Sequence, residues 1–128
     1  KLIDDVFERT RSIRSSDLLC ENKDICKYAY RVYRKASAIG NVNAMIYISN
    51  ILFALPEKKY LTDAMMWSII AQIKGINDPI LKEYSPKILA SLKETNNKEF
   101  LQAQRLSKIC LDSNFIDCGF YDQELWDL

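Results

Sequence analysis

The chain has no histidine, and only three glycines and three prolines among its 128 residues. Without histidine the usual catalytic triads and most metal sites are excluded. So few glycines leave no glycine-rich loop to cradle a phosphate. No charge sign dominates either: 18 lysines and arginines stand against 17 aspartates and glutamates, a formal net charge of +1 with no long run of one sign. Nucleic-acid binding therefore has no electrostatic footprint. A bilayer span needs about 18 to 20 consecutive apolar residues. The longest candidate, near residues 46–55, is broken by Ser49 and Asn50, so no membrane span is expected.

A hydrophobic content of 48% suits one compact domain with a real core. The cysteines fall as two close pairs, Cys20 with Cys26 and Cys110 with Cys118. Close pairing in a small domain points to disulfides and an oxidising compartment, with reduced buried thiols as the alternative. Neither pair has the short gap of a zinc knuckle, so no metal is expected. The first residue is Lys1 rather than methionine, which points to a removed upstream segment, either a signal peptide or a tag. The expected location is periplasmic or secreted, with the cytoplasm as the alternative.

Small residues then set the organisation. Ala29, Ala36 and Gly40 stand at offsets 0, 7 and 11 of a frame that Ala64, Ala71 and Gly75 repeat 35 residues later. A period in that range means stacked helical hairpins. A third frame begins 39 residues after Ala64, at Ala103, with Cys110 and Asn114 at the same offsets. Gly40 stands where a left-handed helix cap is wanted, and asparagine at 114 is the next best residue there. Alanines seven apart share one helix face and let a neighbouring helix approach. The second copy is apolar nearly all round, with Met65, Met66, Trp67, Ile69, Ile70 and Ile73, and is expected to be the central helix.

The caps complete the layout. Asp24, Thr62, Asp78 and Asn97 are the expected N-caps, with Pro79 in the first helical position. Ser85 and Pro86 are expected to kink or split the return helix of the second copy. The expected fold is all-α: a short α-solenoid of six to seven helices in antiparallel hairpins. Its single domain, 1–128, divides into an N-terminal helix over 1–15, repeats over about 25–60, 61–97 and 98–118, and a capping tail over 119–128.

Alanine, a large residue at offset 3 or 4, alanine at 7, glycine at 11 and alanine at 15 resemble the Sel-one-like repeat, a short relative of the tetratricopeptide hairpin. Ala29, Tyr33, Ala36, Gly40 and Ala44 make the best copy. The second keeps Ala64, Trp67, Ala71 and Gly75 but has Pro79 at offset 15, and the third keeps only Ala103. The resemblance implies a binding scaffold in which the first helix of each repeat lines a concave surface. Carried onto this chain, it places Tyr30, Arg31 and Arg34 of the first copy, Met66 and Ile69 of the second, and Arg105 and Lys108 of the third on a partner-binding groove. Methionine and isoleucine on the floor and basic, tyrosine-bearing walls would suit an acidic or amphipathic protein segment. The competing reading makes the apolar members core and the basic ones a solvated face.

Carboxylate pairs occur at Asp4 with Asp5 and at Asp122 with Glu124. Both lie towards chain ends, where solvated charge explains them, and an acid site would need a deep cleft to tune it. A non-enzyme without a cofactor is expected. Its function is expected to be that of a small exported bacterial interaction protein, such as an immunity protein that neutralises a toxin. The alternative is an intracellular adaptor of a regulatory or degradation pathway.

Overall fold

The structure is a computed structural model and describes residues 22–126. The expected helix over 1–15, the carboxylates Asp4 and Asp5, and Cys20 lie outside the described residues. Those described form six α-helices and one 3-10 turn, with no strand among them. The fold is all-α.

Helix α1 spans Lys23–Ala38. Its cap is Asn22, not the expected Asp24: the Asn22 side chain accepts from the backbone N–H of Asp24 and Ile25, at 3.0 and 3.3 Å. Asp24 sits inside the first turn, where its charge meets the positive end of the helix. At the other end Gly40 takes φ +94. The N–H of Gly40 donates to Ser37 and that of Asn41 to Ala36, each at 3.0 Å. These two bonds satisfy carbonyls that the helix leaves open. Among the described residues no atom beyond its chain neighbours lies within 4 Å of where a Gly40 Cβ would be, so the backbone angle is what asks for glycine. Asn41 then caps α2, Val42–Ala54, by accepting from the Ala44 N–H at 3.1 Å.

Leu55 is extended ahead of Pro56, as the residue before proline prefers. The 3-10 turn Lys58–Tyr60 follows and runs directly into α3, Leu61–Lys74. Thr62 is therefore not the cap. The turn supplies the starting bend, Tyr60 holds the cap position without a side-chain bond, and Thr62 is buried within the helix. Gly75 ends α3 at φ −96, so it repeats the position of Gly40 but not its left-handed conformation.

Helix α4, Pro79–Thr95, begins as expected, with the Asp78 carbonyl accepting from Lys82 at 2.9 Å. It runs unbroken through Pro86 and is not split. A proline there forfeits one bond, to the Lys82 carbonyl. Lys82 is exposed, so water can take that place. Helix α5 is Asn97–Asp112, and its cap is Asn96, one residue before the expected Asn97. Asn114 ends it in the left-handed region at φ 56, as its type foretold, and Phe115 follows at φ 65. A short α6, Asp122–Trp126, closes the described chain.

Helix α3 is the centre of the packing. It lies most extensively against α2 and α5; α1 packs on α2, and α6 on α1. Ala64, Met65, Met66, Trp67 and Ile70 have no exposed surface, while Ile73 is half exposed. Every small residue at offsets 0 and 7 is buried: Ala29, Ala36, Ala64, Ala71, Ala103 and Cys110. Their size has a visible use at α2 against α3, where the Ser49 hydroxyl reaches the Ala64 carbonyl at 2.8 Å. Among the described side chains of helix α4 most are exposed, and Leu89 and Leu92 pack against the core.

Candidate functional site

Two helices each contribute a pair of side chains one turn apart, Tyr30 and Arg34 from α1 and Asp63 and Trp67 from α3. All four are buried. What covers them is the chain's own C-terminal segment, residues 113–126.

Arg34 organises one end. Its Nε donates to Asp122 Oδ1 at 2.9 Å, its Nη2 donates to the Phe115 carbonyl, and its guanidinium lies 5.3 Å from the centre of the Trp67 ring. The Tyr30 hydroxyl donates to the same Asp122 oxygen. Burial of the Tyr30 phenol, and then the adjacent Asp122 charge, hold its pKa well above the usual tyrosine value. Phe115 stacks on Trp67, with ring centres 6.3 Å and planes 15° apart.

Asp63 organises the other end. One carboxylate oxygen accepts from the Phe120 N–H and the other from the Tyr121 N–H, each at 2.9 Å. Burial raises the Asp63 pKa, the two N–H groups work against that rise, and the charge of Asp122 adds to it. Gly119 passes directly over this carboxylate at φ 92. A Cβ on Gly119 would sit 2.7 Å from Asp63 Cγ, so both the angle and the space demand glycine. Below Asp63, exposed Lys59 reaches both oxygens of Glu124 at 3.0 and 3.1 Å and lies about 5 Å from the Tyr60 and Tyr121 rings.

A disulfide joins Cys110 on α5 to Cys118 in the loop. Cys26 is disulfide-bonded too, while the expected partner Cys20 lies outside the described residues. The expected Cys110 with Cys118 pairing is present.

The seven residues expected on one groove are divided. Tyr30 and Arg34 meet at Asp122 beneath the tail, and Met66 has no exposed surface. Arg31, Arg105 and Lys108 are exposed. Ile69, 7% exposed, joins Lys108 in a shallow hollow of about 310 Å³ between α3 and α5, with Ile73, Gln104 and Leu111. A second hollow, about 240 Å³ and apolar, lies among α2, α3 and α4 at Ile46, Phe53, Ile88 and Leu89. Asp122 and Glu124 are not a pair of solvated end charges: each has its own basic partner, and only Glu124 is exposed.

Asp63, Trp67, Gly119 and Asp122 form the clamp without having been singled out for it. Two of them left a trace. Asp63 is the one acidic residue of a mostly apolar helix, and Gly119 is one of three glycines in the chain. Chemically the arrangement is a lock. Asp122 is occupied by Arg34 and Tyr30, and Asp63 by two backbone N–H groups, so neither carboxylate is poised for proton transfer. Among the described residues no group of three or more potential ligands could hold a metal, and no helix is long and apolar enough to cross a membrane. No family model, curated protein or solved structure matches the chain.

Proposed function

We propose that this chain is a non-catalytic protein-binding module, a short solenoid of Sel-one-like helical hairpins. In this reading it acts as a small exported bacterial interaction protein of the immunity type, which binds one toxin and neutralises it. The observation that carries the reading is the clamp. The buried polar side chains Tyr30, Arg34, Asp63 and Asp122 are used to hold the chain's own C-terminal segment in one shape. Fixing a surface before a partner arrives removes ordering cost from binding, which is what a dedicated binder needs.

The buried small residues at equivalent offsets of α1, α3 and α5 support the repeat reading. The Cys110 with Cys118 disulfide supports an oxidising compartment over the intracellular adaptor. The test is co-purification with the product of the neighbouring gene, followed by growth of cells that express that product. A stable complex and restored growth are expected. Absence of both would sink the toxin-binding reading.

A further inference from the structure

Resting on that protein-binding reading, we infer that residues 113–120 are the recognition loop, and that they enter an apolar pocket bordered by lysine or arginine on the partner protein. The loop is held at every turn from the inside. The N–H of Asn114 donates to Leu111 at 3.1 Å and that of Phe115 to Cys110 at 2.8 Å. The Ser113 hydroxyl accepts from the Asp117 N–H at 2.9 Å and donates to the Cys110 carbonyl at 3.0 Å. Arg34 takes the Phe115 carbonyl, the disulfide takes Cys118, and Asp63 takes the N–H of Phe120.

Between these anchors the loop turns apolar side chains outward. Ile116 is 82% exposed and Phe120 50%. Phe115 is held at positive φ, a conformation a bulky residue adopts only when its surroundings impose it. That twist sends the Phe115 ring inward onto Trp67 while its neighbour Ile116 stands in solvent. A rigid loop carrying two exposed apolar side chains loses little entropy on docking, which is the economy of a preorganised binder. The exposed charge of the segment itself selects the partner's rim: Asp112, at the end of α5, and Asp117, next to Ile116 in the chain, are both exposed, so a basic border on the pocket is complementary.

The probe is the full disulfide-bonded chain titrated by calorimetry with the purified product of the neighbouring gene. The variants are Ile116→Asp, Asp117→Lys and, as a control on the exposed face of α1, Lys35→Glu. Circular dichroism and melting temperature verify that each variant folds. Ile116→Asp is expected to weaken binding about 100-fold and Asp117→Lys about tenfold, with Lys35→Glu within about threefold of wild type. An Ile116→Asp chain that binds within about threefold of wild type, or a Lys35→Glu chain that loses as much as Ile116→Asp, overturns the loop assignment and leaves the binding reading standing. A wild-type chain that does not bind overturns both.

Discussion

Removing the Asp122 carboxylate, as in Asp122→Ala, leaves Arg34 charged in a site with 5% of its side chain exposed. The guanidinium keeps the Phe115 carbonyl and the Trp67 ring but loses its ion pair with Asp122. Breaking a buried pair from one side costs about 3 kcal/mol, because the remaining charge stays buried without that pair. Tyr30 loses its acceptor in the same step, worth about 1 kcal/mol more. For a chain of this size the sum lowers the melting temperature by roughly 10 to 15 °C. Thermal and urea melts of the wild type, Asp122→Ala, Arg34→Ala and the double variant close a cycle. A coupling above about 1.5 kcal/mol between the two sites is expected. Amide exchange at Phe120 and Tyr121, whose N–H groups are bound by Asp63, should accelerate in the single variants, because the tail is released with the pair. If Asp122→Ala costs less than about 0.5 kcal/mol and adds independently to Arg34→Ala, the tail is not held by this pair and the clamp is wrong.

Two further outcomes follow from the same geometry. Gly119→Ala meets both the left-handed angle and the Asp63 carboxylate at 2.7 Å, whereas Gly40→Ala meets only the angle. In chemical denaturation Gly40→Ala should cost about 1 kcal/mol and Gly119→Ala at least about 2, and equal costs would refute the close approach at Asp63. At high pH, the Tyr30 pKa is raised in the folded state, first by burial and then by Asp122. The folded chain therefore keeps that proton after the unfolded chain has lost it. This stability contribution is complete below the ordinary tyrosine pKa and is lost as pH rises through the folded value. Absorbance of tyrosinate should show a late step that coincides with loss of helix and shrinks in Tyr30→Phe. A titration in which every tyrosine ionises together with the helix intact would rule this out.

Much of the scaffold was legible in the sequence because its causes are local. A helix reads neighbours three and four residues away, so the apolar wrap of 61–74 announced the central helix, and Gly40 and Asn114 announced left-handed ends. The small residues at Ala29, Ala64 and Ala103 announced close helix approach, and all three are buried. Caps were missed by one or two residues at Asn22, Tyr60 and Asn96, where the choice depends on how the preceding turn enters the helix. Pro86 is expected to kink or split its helix; it does not split it, because a helix survives the loss of one bond.

The site itself was decided by the tertiary structure. Periodicity placed Tyr30 and Arg34 on a face opposite Ala29 and Ala36, and nothing within helical range says what covers that face. The cover comes from 92 and 88 residues away, through Asp122. A residue's helical offset fixes its direction, but its burial and charge partner depend on which distant segment folds over it. By itself the sequence thus pointed to the long helices, to the ends at Gly40, Asp78 and Asn114, and to Cys110 with Cys118 as a disulfide or a pair of buried thiols. Only the tertiary structure decided that Tyr30 and Arg34 hold the chain's own tail and that the loop at Ile116 is left facing solvent.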